Sequence, residues 1–187
     1  MNRHRQRGFA ATLAALSVPA VVVLSAVPSA VAATVLAAEG TTRPSGEAQT
    51  AFNGAFCEQN TCRSLGAGPV SATTSARQIQ TGVDTTPGDI ILVGYSLGAS
   101  GLYDRMREWE SDSGTAPAPD RVLLIVTYGN PENKFGGNAR MRAGAGLPAE
   151  QQYQNLEVVV QYDGVADRPA RFGFYSWING MGSRHFI

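Results

Sequence analysis

The chain has 187 residues, 43% of them hydrophobic and 16% charged, a balance that supports a packed core and excludes a long disordered tail. Lys plus Arg and Asp plus Glu number 15 each, so the formal net charge is zero; with two histidines and two cysteines, a zinc site built from Cys and His ligands is close to excluded. Lys134 is the single lysine and no Gly-rich loop ends in Lys-Ser or Lys-Thr, which argues against a nucleotide-binding phosphoryl-transfer protein.

Arg3, Arg5 and Arg7 precede an apolar stretch over residues 9–27, which is broken by Pro19 and followed by Ala30-Val31-Ala32. A positive start, an apolar middle and a small-residue exit are the parts of a secretory signal peptide, read here as residues 1–32. The rival reading is an uncleaved membrane anchor, because about 19 apolar residues just span a bilayer. Either way the expected location is secreted or at the cell envelope. The remaining residues, 33–187, make one domain of roughly 155 residues. Without the three arginines the balance is 12 basic against 15 acidic residues, formally −3, with no basic stripe for a nucleic-acid partner. In an oxidising compartment Cys57 and Cys62 are expected to pair and staple the short loop between them.

The domain opens with an apolar run at residues 34–38, a strand that ends in the turn-forming Gly40-Thr41-Thr42-Arg43-Pro44. Residues 45–56 and 71–83 are helical candidates, the second weakened by its Ser and Thr content. Ile90-Ile91-Leu92-Val93 is a continuous β-branched and apolar run, the mark of a strand buried on both faces. A helix over 97–110 follows, with Leu102, Met106 and Trp109 on one stripe. Residues 122–126 form a second fully apolar strand. Residues 128–152 hold seven glycines and prolines and read as a long irregular excursion. The last strand is expected over 157–162, followed by an aromatic, helical segment over 172–181. Buried strands alternating with helices imply a three-layer αβα sandwich around a mostly parallel sheet.

Gly94-Tyr95-Ser96-Leu97-Gly98 fits the nucleophile-elbow pattern Gly-x-Ser-x-Gly, and its setting between an apolar strand and a helix is the one that pattern requires. Ser96 is therefore the candidate nucleophile, at a helix N-terminus where developing negative charge is favoured. A serine alcohol needs a base. His4 lies in the export segment, which leaves His185, placed after all the strands as the base is in this chain order. The orienting carboxylate is sought after the last strand, in Tyr162-Asp163-Gly164-Val165-Ala166-Asp167-Arg168-Pro169. Asp167, out in the loop, is preferred; Asp163, at the strand end, is the alternative. The oxyanion donors are expected from the backbone N–H of Leu97 and from Thr41, whose N–H and hydroxyl sit in the turn after the first strand.

Together these residues resemble the PE-PPE domain family of actinobacterial serine hydrolases, itself similar to cutinases within the α/β-hydrolase group. The resemblance runs over about residues 34–185. It is carried by Gly94-Tyr95-Ser96-Leu97-Gly98-Ala99, by Gly129-Asn130-Pro131 with Gly136-Gly137, and by the stretch from Tyr162 to Pro169. It implies a minimal cutinase-like α/β-hydrolase without cofactor or metal, with Thr41 as an oxyanion residue. The implied activity is serine esterase or lipase-like hydrolysis of acyl esters, or acyl transfer, with cell-envelope lipids among the substrates. Oligomeric state is left open. Leu97 and Arg168 depart from the family's usual Gln and aromatic residue. The sequence holds two residues after His185, which supports the alternative of a lipid-binding or envelope-interaction protein that keeps the fold with an impaired site.

Overall fold

The computed structural model describes residues 32–148, 150–168 and 173–186, so the expected export segment lies outside the described residues apart from Ala32. The elements in chain order are β1 (Thr34–Ala38), β2 (Thr61–Ser64), α1 (Ala72–Asp84), β3 (Ile90–Tyr95), α2 (Leu97–Ser111), β4 (Val122–Tyr128), β5 (Asn155–Val158) and α3 (Phe174–Gly180). The strands form one five-stranded sheet in the order β2-β1-β3-β4-β5, and every neighbouring pair is parallel.

The apolar runs are buried on both faces, as a period of two within an all-apolar strand demands. On one face Leu36, Leu92 and Ile125 pack with Ile79 and Val83 of α1 and with Leu102, Met106 and Trp109 of α2. On the other, Val35, Val93 and Val126 pack with Phe56, Cys62 and Tyr128. α1 starts where Ser71, in extended conformation, caps the helix by accepting a hydrogen bond from the Thr74 N–H. Trp109 is fully buried without a polar penalty because its indole N–H donates to Gln80 Oε1 at 2.8 Å.

Three segments differ from the sequence expectation. Residues 45–56 do not form an α-helix. They make 3₁₀ turns over Ala48–Gly54 that break where Phe52 and Asn53 take positive φ, and the Phe52 ring meets Tyr128 of the second face edge-on at 5.4 Å. β2 is a strand the sequence does not signal, because Thr-Cys-Arg-Ser is a short edge strand with alternate residues in solvent. The Cys57–Cys62 disulfide therefore ties the end of the 3₁₀ turns to this edge strand instead of only stiffening a loop. The last strand begins and ends earlier, at Asn155–Val158, and α3 is continued by a π-turn over Met181–His185.

The strand order fixes where a site can form. From β1 the chain moves outward to β2 and then returns to β3, so the order reverses between β1 and β3. A crevice opens at the carboxyl ends of strands at such a reversal. Gly40 follows β1 and Ser96 follows β3, and both lie at this edge.

Candidate active site

Ser96 joins β3 directly to α2 and holds φ +50° and ψ −113°, a strained conformation for a residue with a side chain. Close approach requires the flanking glycines. A Cβ on Gly94 would lie 2.6 Å from Leu102 Cδ1 and 2.9 Å from the Ala99 N, and one on Gly98 would lie 2.3 Å from the Ala38 carbonyl oxygen. The second contact presses the first turn of α2 onto the end of β1. It brings the turn that starts at Gly40 beside the serine: a Cβ on Gly40 would sit 3.2 Å from Ser96 Cβ.

Ser96 Oγ is 2.8 Å from His185 Nε2, and His185 Nδ1 is 3.0 Å from Asp163 Oδ2. His185 is 3% exposed and Asp163 1%, so the chain of hydrogen bonds is closed to solvent over most of its length. The other Asp163 oxygen accepts from the Val165 N–H at 2.7 Å and the Ala166 N–H at 3.1 Å. Burial alone would push this carboxyl upward. The bond from His185 and the two backbone N–H groups outweigh it and hold the pKa below its ordinary value. An ionised carboxylate only accepts, so Nδ1 carries the proton and Nε2 is free to accept from the serine hydroxyl.

The residue beside His185 is thus Asp163 and not Asp167, which corrects the preference drawn from sequence. Asp167 turns back: its Oδ2 accepts from the Tyr162 N–H at 2.7 Å, where Tyr162 has φ +65°. The Asp167 N–H in turn donates to the Asp163 carbonyl at 2.8 Å. The loop closes on itself, and its geometry aims the first aspartate at the imidazole and uses the second as a tie.

Leu97 is the first residue of α2, so its N–H lies outside the helical ladder, at the positive end of the helix. Thr41 sits exposed in the turn closed by the Arg43 N–H donating to the Gly40 carbonyl at 3.1 Å. The segment that follows this turn is tied down by a buried acid that no sequence pattern marks. Glu39 is 2% exposed, and its carboxylate accepts from the N–H groups of Gly46 and Ala48, both at 2.8 Å. Burial pushes its pKa above the ordinary value.

The excursion after β4 is likewise less irregular than its composition suggests. Buried Asn133 donates to the carbonyls of Asn130 and Ala166, and the Asn138 N–H donates to the Val165 carbonyl at 2.9 Å. The Glu132 carboxylate, 2% exposed, receives Arg107 at 3.0 Å and Arg142 at 2.6 Å. The Gly129-Asn130-Pro131 and Gly136-Gly137 motifs thus serve to lash the excursion to the Asp163 loop. Among the described residues no group of three or more His, Cys, Asp or Glu side chains is placed to hold a metal ion.

A cavity of about 460 Å³ opens beside the site, lined by Arg43, Glu47, Phe52, Tyr95, Tyr128 and Phe186 among others. Its walls include the residues next to Ser96 and next to His185 in the chain.

Residues 62–179 match the PE-PPE domain. Over 92 residues, 43% of the chain, the sequence is 35% identical to Esterase PE16 of Mycobacterium tuberculosis, and the match spans 17% of that protein's length. A cutinase-like protein from Cryptococcus sp. has the same fold, with a TM-score of 0.57 over 80% of this chain and 86% of its own, at 17% identity.

Proposed function

Given that this chain belongs to the PE-PPE domain family, we propose that it is a serine esterase or acyltransferase acting on acyl esters through Ser96, His185 and Asp163. The observation that carries the reading is the continuous hydrogen-bonded line from Ser96 Oγ through the imidazole to a buried, ionised carboxylate. The esterase name of the Mycobacterium tuberculosis relative supports the same class.

In this mechanism Ser96 Oγ attacks the acyl carbonyl carbon while its proton passes to His185 Nε2. Asp163 keeps the ring in the Nδ1–H tautomer and stabilises the imidazolium. The carbonyl oxygen becomes an oxyanion and is received by the Leu97 N–H at the start of α2 and by Thr41 in the Gly40–Arg43 turn. Collapse of the tetrahedral intermediate breaks the ester C–O bond, and the departing alcohol takes the proton from Nε2. Water or a second alcohol then attacks the acyl-enzyme with His185 again as base, which restores Ser96. The adjoining cavity is of the size that holds a small ligand and has aromatic walls suited to an apolar acyl group. With an export segment at residues 1–32, the substrates in this proposal are esters met outside the cytoplasm, cell-envelope lipids among them.

The test is hydrolysis of p-nitrophenyl acyl esters by the folded protein and by Ser96→Ala. Turnover that falls to the uncatalysed background in Ser96→Ala is the expected result. Equal turnover by the two proteins rejects the mechanism, and no turnover by either favours the impaired-site alternative.

A further inference from the structure

The base of this site lies at the end of a helix whose carbonyls need donors, and two residues outside the Ser–His–Asp line supply them. α3 and its π-turn end at His185, so the carbonyls of His185 and Phe186 have no acceptor role left within the helix. The Tyr95 hydroxyl donates to the His185 carbonyl. The Arg43 guanidinium donates to the Phe186 carbonyl at 3.2 Å, a cation at a helix C-terminus, where it is electrostatically favoured. Ring contacts reinforce both bonds. Tyr95 stacks on His185 with centroids 5.2 Å apart and on Tyr128 at 4.9 Å. Arg43 lies 5.8 Å from the ring centroids of both Tyr95 and Phe186. Burial pushes the Tyr95 phenol above its ordinary pKa, so it stays protonated and remains a donor.

We propose that Tyr95 and Arg43 are positioning residues that clamp the end of the C-terminal helix and so hold the His185 imidazole at Ser96. Tyr95 is the first of the two variable residues of the Gly-x-Ser-x-Gly elbow, so the strand that presents the nucleophile also presents the donor that fixes the base. Arg43 closes the proposed oxyanion turn, its N–H on the Gly40 carbonyl, and links that turn to the same helix end. One pair of side chains thereby ties the elbow, the turn and the histidine together.

The proposal rests on the serine-hydrolase reading for its kinetic consequence, and hydrogen exchange tests it without that reading. Tyr95→Phe keeps the ring stack and removes one donor, which is expected to lower kcat by about 5- to 50-fold with KM unchanged. Arg43→Met is expected to act in the same direction, with Arg43→Lys restoring part of the loss because it keeps the charge. In both Tyr95→Phe and Arg43→Met, amide exchange speeds up over residues 181–186 and stays unchanged in β1, β3 and β4. Unchanged exchange over 181–186 together with unchanged kcat overturns the clamp. So does faster exchange spread through the sheet strands, which is the mark of general destabilisation. If the parent protein hydrolyses nothing, the serine-hydrolase reading fails, and local exchange alone decides the clamp: faster supports it, unchanged overturns it.

Discussion

Replacing Asp163 with Asn separates the two aspartates of the loop after β5, and the structure gives the size of each effect. In Asp163→Asn the oxygen that accepts from Val165 and Ala166 can be kept, at 2.7 and 3.1 Å, which leaves the amide NH₂ facing His185 Nδ1. Two donors cannot face each other, so Nδ1 gives up its proton and the imidazole flips to the Nε2–H tautomer. Nε2 then points a hydrogen at Ser96 Oγ and no longer accepts. Loss of the carboxylate charge removes the stabilisation of the imidazolium as well. The expected drop in kcat is on the order of 10⁴-fold, equivalent to about 5 kcal/mol of barrier. Asp167→Asn loses far less, because an amide oxygen can still accept from the Tyr162 N–H, and its expected effect is within about threefold, the scale of a surface substitution. The assay is p-nitrophenyl ester turnover, with the thermal midpoint followed in parallel to confirm folding. Equal losses in the two variants, or a larger one in Asp167→Asn, would refute the assignment of the acid.

Three further outcomes follow from the same geometry. A Cβ on Gly129 would lie 3.1 Å from both His185 Cε1 and Tyr95 Cε2, at φ +59°, so Gly129→Ala should displace the imidazole. It should cut kcat by about tenfold or more while costing about 1–2 kcal/mol in denaturant unfolding; unchanged turnover would contradict the contact. The depressed Asp163 pKa contributes stability at pH above the ordinary value of 3.8, and that contribution is lost as pH falls through the lower folded-state value. Unfolding free energy should therefore fall more steeply below about pH 4 in the parent protein than in Asp163→Asn, and parallel curves would show that the carboxylate is not linked to folding. Removing the Cys57–Cys62 bridge by a double Ser substitution should cost about 2 kcal/mol, the loop-closure value for so short a span, read as a lower denaturation midpoint.

How much of this was legible beforehand depended on whether a residue's role was set by pattern or by loop conformation. Ile90–Tyr95, Ser96 and α2 could be read because an apolar run, a Gly-x-Ser-x-Gly turn and a helical stripe are local signals that reinforce one another. His185 followed from order in the chain. β2 could not be read, since an edge strand needs no apolar alternation and Thr-Cys-Arg-Ser offers none. The 3₁₀ break at Phe52 and Asn53 was hidden because residues 45–56 contain no glycine or proline at the break itself. Asp163 and Asp167 are the same side chain four residues apart, and only the turn in which Asp163 Oδ1 takes two N–H groups decides which one faces the histidine. Glu39, Glu132 and Asn133 are polar side chains in loops, which no sequence pattern marks as buried, yet each is buried because it satisfies backbone groups that no regular ladder serves. Tyr95 was invisible for a different reason: the motif treats its position as free.

A serine nucleophile activated by His185 is open to covalent trapping at Ser96 Oγ. The folded protein is treated with a fluorophosphonate and analysed by intact-mass and peptide-mapping mass spectrometry. A single adduct is expected on the peptide that carries Ser96, absent in Ser96→Ala and slowed in Asp163→Asn. Folded protein that takes up no probe, or an adduct that persists in Ser96→Ala, would contradict it.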